Sequence, residues 1–249
     1  MKYLFINSVA GFGSTGRIIL SACERLEQQG HTCRIAYGRQ ATQCGVPTIA
    51  IGSPWDYRFH ALCHRIFGTG GFGSRAATAR FLRQVREYDP DVIWLHNLHG
   101  YYIHVGLLFD YLRSCGKQII WTLHDCWAFT GNCPYFSAVG CEKWKICCGS
   151  CPQKNVYPKA LLDASRKNYL RKKALFTGIE NLSLWTLSRQ IGCQQQIIRY
   201  TGGHLTDCIS GCRSDQISIR PQPQIHMRIP ISIFGIIKIH QNRILRQRG

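Results

Sequence analysis

The stretch KYLFINSVAGFGSTG at residues 2–16 decides the fold, because a short apolar run leads directly into three closely spaced glycines. The apolar residues 3–6 predict a β-strand. The apolar positions after Gly16 recur at helical spacing and predict a helix that ends at Gly30. A strand, a glycine turn and a helix in this order favour a unit in which backbone N–H groups at the helix start hold a phosphate.

Strands and helices alternate along the chain beyond this unit. The later apolar runs are short and do not alternate with polar residues, as in strands that are buried on both faces. The pattern therefore predicts a Rossmann-like parallel sheet with helices on both faces, and ligands at the carboxyl ends of its strands. The further predicted strands are 31–37, 92–95 and 118–123. The further predicted helices are 75–88 and 106–113. Ser74 is the expected N-cap of the first of these helices, and Asp89-Pro90 is expected to end it.

Composition indicates a folded globular protein that favours anionic partners. The 249 residues are 45% hydrophobic and 18% charged, with a formal net charge of +18. Such a charge favours nucleic acid, acidic lipid or phosphorylated substrates, without choosing among them. The N-terminus has the pattern of a first strand and not of a signal peptide, and no apolar segment reaches the roughly 20 residues of a membrane span. We therefore expect a cytoplasmic protein.

The residues after the second strand bear on the ligand of the glycine turn. An NAD-binding unit needs an acidic residue about 20 residues beyond the glycines, at the end of that strand. The second strand ends in AYGR at residues 36–39, without an acid, which disfavours NAD. Arg39 leaves an NADP-dependent reductase open as an alternative.

Polar clusters follow two successive predicted strands. His96 and Asn97 come directly after one strand, and His124 and Asp125 follow the next. A single histidine is more often structural than catalytic, but two such clusters at strand ends point into one cleft. His124 is the candidate catalytic residue. Asp125 could orient its imidazole or meet hydroxyl groups, which suits carbohydrate recognition.

Cysteines are concentrated between residues 126 and 152, whereas Cys23, Cys33, Cys63 and Cys115 are scattered through apolar segments and are expected in the core. The clustered ones are spaced so that four thiolates could surround a structural zinc ion and staple the loop after His124. A set of free cysteines is the alternative. The predicted ligands are Cys133, Cys141, Cys148 and Cys151.

The basic run RKNYLRKK at residues 166–173 predicts a helix with a solvated face. Contact with a diphosphate or with an anionic membrane surface is the alternative. A zinc-containing nucleic-acid-binding protein is a competing function class, supported by the charge and the cysteines. It is disfavoured because the basic residues do not interleave with stacking aromatic residues, and no nucleic acid partner is expected.

Four motifs together resemble a known family. They are INS with GSTGR at 6–8 and 13–17, LHNLHGYY at 95–102, WTLHDCWAFTG at 121–131, and GCEKWK with CPQK at 140–145 and 151–154. They look like the N-terminal domain of family 4 glycosyltransferases of bacterial capsular and exopolysaccharide (colanic-acid-type) synthesis. The resemblance covers residues 1–189.

The resemblance implies one half of a GT-B fold, in which two Rossmann-like domains face each other. It also implies a retaining, hexosyltransferase-type reaction from a nucleotide-sugar donor to a glycan or lipid-linked acceptor, with no obligatory catalytic metal. Peripheral contact with the anionic inner face of the membrane is an alternative that the net charge leaves open. His124 and Asp125 become the expected catalytic residues. Cys147 stands where the family pattern has glycine, so either Cys147 or Cys148 could be the third zinc ligand. The expected substrate-binding residues are Gly13, Ser14, Thr15, Gly16, His96, Asn97, Trp127 and Thr130.

Residues 190–249 do not continue the family pattern. They form a basic, isoleucine-rich tail with only two acidic residues and no persistent period, and we expect it to be irregular. Our hypothesis is that the reading frame shifts near Arg189 and Gln190, so that the donor-binding domain is missing. The chain by itself is then expected to be weakly active or inactive.

Overall fold

The computed structural model describes residues 1–186 and the backbone of a strand at 197–199. Within these residues the strands form one seven-stranded sheet. The strands are β1 (Lys2–Ala10), β2 (Thr32–Ala41), β3 (Thr48–Ala50), β4 (Val92–Leu95), β5 (Gln118–Leu123), β6 (Leu182–Thr186) and β7 (Ile197–Arg199).

Five α-helices connect or flank these strands in the described part of the chain. They are α1 (Gly13–Glu27), α2 (Pro54–Phe67), α3 (Arg75–Tyr88), α4 (Val105–Ser114) and α5 (Ser165–Phe176). Two short 3-10 turns, Phe136–Val139 and Lys143–Lys145, lie in the cysteine-rich loop between β5 and α5. No helix among the described residues is both long enough and apolar enough to cross a membrane.

The sheet has the strand order β3-β2-β1-β4-β5-β6-β7. The first six strands in chain order pair in parallel, and β7 pairs antiparallel with β6. The chain leaves β1 towards one edge of the sheet and returns to β4 on the other side of β1. Ligands bind in the crevice that such a reversal opens at the carboxyl ends of the strands. The predicted Rossmann-like parallel sheet is confirmed.

Both faces of the sheet are covered, as the short apolar strands predicted. Alternate residues of β1 point to opposite faces, so Phe5 packs in one core cluster and Ile6 in the other. Helix α1 covers the Phe5 face through Ile19 and Leu26. Helices α3, α4 and α5 cover the Ile6 face, where Phe109 contacts Phe176 at a ring-centroid distance of 4.3 Å.

Several local predictions differ from the structure. Helix α2 and strands β3 and β6 lie in segments where the pattern predicted no element. Helix α3 spans the predicted residues and ends at Asp89, which has a left-handed φ of 48°. The predicted side-chain cap by Ser74 is wrong, because Ser74 itself has a left-handed φ of 54° and its hydroxyl lies 2.9 Å from His60 Nδ1.

Two further expectations need correction. Cys23 and Cys33 are buried as expected, but Cys63 and Cys115 are only partly buried. Strand β7 lies within the tail that was expected to be irregular. The remaining residues of the tail, 190–196 and 200–249, lie outside the described residues.

Candidate functional site

The glycine turn lies between the end of β1 and the start of α1. Gly11 and Gly13 have left-handed φ values of 65° and 64°, which favour glycine. A Cβ on Gly11 would lie 2.5 Å from the Thr42 hydroxyl, and one on Gly16 would lie 3.2 Å from the Gly11 nitrogen. The N-cap residue Phe12 makes no side-chain cap hydrogen bond, so within the described residues the positive end of the α1 dipole is available to an anion at this turn.

Asn7, at the carboxyl end of β1, ties this turn to the neighbouring strand. The side chain is fully buried. Its amide nitrogen donates to the Val9 carbonyl at 2.8 Å and to the Thr15 hydroxyl at 3.3 Å, and its oxygen accepts from the Asn97 amide at 3.2 Å. Asn7 therefore fixes the glycine turn and the loop after β4 relative to each other.

His96 and His124 form a hydrogen-bonded pair at the ends of β4 and β5. His96 Nδ1 lies 2.9 Å from His124 Nε2, and the rings are stacked with centroids 5.2 Å apart. Burial lowers the pKa of His124 to about 4 and the pKa of His96 well below its usual value. Both imidazoles are therefore neutral at pH 7, so each has one N–H donor and one acceptor nitrogen.

His99 and Asp125 form a second pair beside the first. His99 Nε2 lies 2.7 Å from Asp125 Oδ2, and Asp125 Oδ1 accepts from the Trp127 amide at 2.9 Å. Burial acts to raise the pKa of Asp125, but the hydrogen bond and charge of His99 and the Trp127 amide outweigh it, and the pKa is lowered. The expected orienting partner of Asp125 was His124, and the structure places His99 there instead.

Trp127 forms one wall of the cleft and rests on a buried lysine. The Lys172 ammonium donates to the Trp127 carbonyl and lies 4.0 Å from the centroid of its ring. Lys172 is only 1% exposed, and burial lowers its pKa to about 7 against the attraction of Cys148, Cys133 and Asp125. The basic helix is therefore not simply a solvated face, because this member of the run supports the cleft.

Thr130 lies apart from the cleft, in the cysteine-rich loop. Its hydroxyl donates to the Cys133 carbonyl at 2.6 Å. The hydroxyl thus stabilises the loop and does not face the histidine pairs. The cleft is lined by the other predicted residues of the two strand ends, which are His96, Asn97, His124, Asp125 and Trp127.

The predicted zinc site is not supported. The four cysteines line one small cavity, together with Lys143 and Trp144. Cys133 and Cys151 are hydrogen-bonded to each other, but no group of three or more His, Cys, Asp or Glu side chains among the described residues could hold a metal ion. The Cys148 sulfur instead accepts the Gly131 amide at 3.2 Å. Spacing along the chain could not determine where these side chains point.

The loop between β4 and α4 carries a residue with left-handed backbone two positions after His99. Tyr101 has a left-handed φ of 66°, which is uncommon for a residue with a Cβ. Its ring packs against His60 and His64 of α2, with centroid distances of 5.8 and 5.1 Å. Tyr101 therefore joins α2 to the loop that holds His99.

Three residues of this site were not among the predicted ones. Asn7 and His99 stand inside the quoted motifs, and their proximity to the candidates along the chain was the available signal. Lys172 lies in a basic run, and its sequence neighbourhood resembles a solvated surface. Its burial becomes visible only once α5 is packed against the loop after β5.

Comparison with known proteins places the chain beside a polysaccharide enzyme. It is 28% identical over 194 residues to the Escherichia coli K12 protein named "Putative colanic acid biosynthesis glycosyl transferase WcaC". The aligned region covers 71% of this chain and 45% of that relative, so the chain spans less than half of the relative's length. The resemblance to colanic-acid-type glycosyltransferases, expected from the motifs, is confirmed. No family model matches the chain.

Two solved structures show partial similarity at 13% identity, each covering 49% of this chain and 34% of the other. They are the glycosyltransferase VinC in complex with DTDP, with a TM-score of 0.31, and the spinosyn rhamnosyltransferase SpnG complexed with thymidine diphosphate, with a TM-score of 0.30.

Proposed function

We propose that residues 1–189 form the acceptor-side domain of a GT-B glycosyltransferase, which transfers a sugar from a nucleotide-sugar to a glycan or lipid-linked acceptor. The observation that carries this proposal is the meeting of three features at one sheet edge. The uncapped start of α1, the His96–His124 pair and the His99–Asp125 pair all lie at the carboxyl ends of β1, β4 and β5. The colanic acid relative supports the same class of reaction.

The glycine turn is the proposed contact for the donor diphosphate. Backbone N–H groups and the dipole at the start of α1 favour a phosphate here. The expected contacts are Gly13, Ser14, Thr15 and Gly16. Arg17 adds positive charge, since its side chain is exposed and its Nε donates to the Gly13 carbonyl at 3.3 Å. Hydrogen-bond donors and positive charge at this position would stabilise a nucleoside diphosphate leaving group as its negative charge develops.

The two polar pairs are the proposed contacts for the reacting sugar and the acceptor. During transfer, the bond between the anomeric carbon and the diphosphate oxygen breaks, and the diphosphate leaves with the electron pair. The acceptor oxygen bonds to that carbon, and its hydroxyl proton passes to the departing diphosphate, which has gained the electron pair. Neutral His124 offers a hydrogen bond to the reacting sugar, and Asp125 together with His99 positions a hydroxyl. His96 and Asn97 hold this geometry from the neighbouring strand.

The chain spans 45% of the length of the colanic acid relative. In a GT-B enzyme two Rossmann-like domains face each other and bring donor and acceptor together. The hypothesis of a frame shift near Arg189 therefore predicts little transfer by the 249 residues alone. A lipid-linked acceptor would also place the protein at the inner face of the cytoplasmic membrane, where its positive charge favours anionic lipid.

The test begins with the gene. Restoring the frame near Arg189 should encode a second domain, and the repaired protein should release nucleoside diphosphate from one of a panel of nucleotide-sugars when glycolipid acceptors are present. The 249-residue chain should release almost none. A repaired, folded protein that releases no nucleoside diphosphate from any donor would contradict the proposal. Oxidation of NADPH by the same protein would favour the reductase alternative.

A further inference from the structure

Helix α2 is packed with its polar face inward. Its buried residues are His60 and His64, which lie against Tyr101. Its large apolar side chains face outward instead, with Trp55 74% exposed and Phe59 70% exposed. Soluble surfaces rarely present contiguous apolar area of this kind, so the outward face of α2 indicates an interaction surface.

The exposed apolar residues of α2 form one stripe. Trp55, Phe59, Leu62 and Ile66 are separated by four, three and four positions, which places them on the same side of a helix. Two leucines extend the stripe, because the amides of Leu161 and Leu162 donate to the carbonyls of Arg65 and Ile66. We call this surface the α2 patch, which comprises Trp55, Phe59, Leu62, Ile66, Phe67, Leu161 and Leu162.

Positive charge borders the α2 patch. The Arg58 guanidinium lies 5.2 Å from the Trp55 ring centroid, and Arg65 is exposed on the same flank of the helix. Lys154 reaches the other part of the patch, where its ammonium donates to the Leu161 carbonyl.

Two acidic side chains lie close to the α2 patch along the chain. Asp56 accepts from the amide and hydroxyl of Ser53 and pairs with Arg80 of α3 at 3.5 Å. Asp163 accepts from the amides of Cys151 and Ser165. Burial acts to raise the pKa of Asp163, but these hydrogen bonds and the charge of Lys154 lower it. The positive border of the α2 patch is therefore carried mainly by Arg58 and Arg65.

We propose that the α2 patch docks the protein on an anionic lipid bilayer, with Trp55, Phe59 and Leu62 inserted at the headgroup boundary. Helices that lie in a membrane interface combine an aromatic and leucine face with flanking Lys or Arg. The arginines then meet lipid phosphates while their stems lie along the apolar stripe. The formal net charge of +18 favours the same surface over a cationic or neutral partner.

This inference assigns membrane contact to α2 and not to the basic run of α5, and it does not depend on sugar transfer. The inner face of α2 packs on Tyr101, which is two positions after the cleft residue His99. Docking through the outer face would therefore hold the loop that carries His99 directly behind the docked helix.

Vesicle binding by the full chain tests the inference. The probes are vesicles of phosphatidylcholine alone and vesicles with about one-third phosphatidylglycerol, and the measured quantity is the partition coefficient from co-sedimentation. We expect binding to the anionic vesicles only. The double variant Trp55→Ser, Phe59→Ser should reduce it by about tenfold or more. Both side chains are exposed, so the fold should persist, which circular dichroism can verify.

Matched variants provide the controls. Val139→Ser with Ile146→Ser also removes two exposed apolar side chains and should leave binding unchanged. Arg58→Gln with Arg65→Gln should lower it several-fold, whereas Arg166→Gln with Lys167→Gln on α5 should have the smaller effect. Equal binding by the Trp55, Phe59 variant and the native chain would overturn the proposal. A native chain that binds no vesicles but forms a dimer would also overturn it, if the Trp55, Phe59 variant dissociates that dimer. The α2 patch would then be the contact surface for a second copy of the chain.

Discussion

Two side-chain pairs lie next to each other at the carboxyl edge of the sheet, and their electrostatics differ. His96 and His124 hydrogen-bond to each other, and burial keeps both neutral. His99 bonds to Asp125, whose pKa is lowered and which is therefore ionised at pH 7. The first pair is an uncharged network, and the second contains a fixed negative charge.

The difference follows from burial and from the hydrogen bonds of each group. Burial is the largest cause of the lowered pKa of both His96 and His124, because it disfavours the charged imidazolium. A carboxylate beside an imidazole gains a charge-assisted hydrogen bond and accepts a backbone amide as well. Residues from the same two loops therefore provide one neutral donor–acceptor group and one anionic group for a substrate.

The largest expected difference within the two pairs is in the activity of the repaired enzyme. His124→Ala should reduce transfer by about 100-fold or more, in the range of lost acid–base or electrostatic contacts to a reacting centre. His96→Ala should reduce the rate of transfer by a smaller factor, because His96 acts through its hydrogen bond to His124. Turnover numbers from nucleoside diphosphate release provide the measurement. Normal turnover by a folded His124→Ala protein would remove His124 from the reaction centre.

Removing the anionic member should have the largest effect on stability. Asp125→Ala leaves His99 and the Trp127 amide without their partner, and we expect the free energy of unfolding to fall by about 3 kcal/mol. Urea unfolding of the 249-residue chain measures this. Asp110→Ala is the control, since Asp110 is exposed in its ion pair with Arg113 and should change stability by less than about 0.5 kcal/mol. A similar small change at Asp125 would show that its pair is not buried in solution.

Acidification should distinguish the neutral pair from the charged one. The folded-state pKa of His124 is about 4, below its usual value. The unfolded chain therefore binds more protons between about pH 6.5 and pH 4, and stability falls as the pH falls through this window. His124→Gln cannot titrate, so its loss of stability between about pH 7 and pH 4.5 should be smaller by about 2 kcal/mol. Equal losses in both proteins would mean that His124 is not held neutral.

The smallest expected effect concerns the lysine below Trp127. The folded-state pKa of Lys172 is about 7, so the unfolded chain binds more protons above that pH. Stability should therefore rise between about pH 7 and pH 8.5, by about 1 to 2 kcal/mol more than in Lys172→Met. Parallel urea titrations at the two pH values measure the difference. The same pH response in both proteins would indicate that Lys172 reaches solvent.

Local patterns predicted much of the sheet. The apolar runs placed β1, β4 and β5 at or close to their observed positions, because strands buried on both faces need uninterrupted apolar residues. The polar residues that follow β4 and β5 meet in one cleft because the two strands are parallel neighbours, so their carboxyl ends lie at the same edge of the sheet. Helix α2 was not predicted, although its apolar residues recur at helical spacing and Ser53 with Asp56 forms a capping box. The sequence could not show that this apolar face points outward and that His60 and His64 are buried, because a period does not determine which face packs on the sheet.

The limits of the pattern also appear in the cysteine-rich loop. Four cysteines at metal-like spacing line one cavity, yet no group of three or more ligating side chains among the described residues could hold a metal ion. Their spacing restricts only the chain length between them. The direction of each thiol depends on how the loop packs against α5.

What the sequence determined by itself is the parallel sheet, the glycine turn and the resemblance to polysaccharide glycosyltransferases, since apolar runs and contiguous motifs are local properties. Tertiary structure decided which side chains pair at the strand ends. It also decided that Asn7 joins the turn to the cleft, that Lys172 is buried and that α2 faces outward. These are contacts between residues distant along the chain, and their geometry is set only when the helices pack on the sheet.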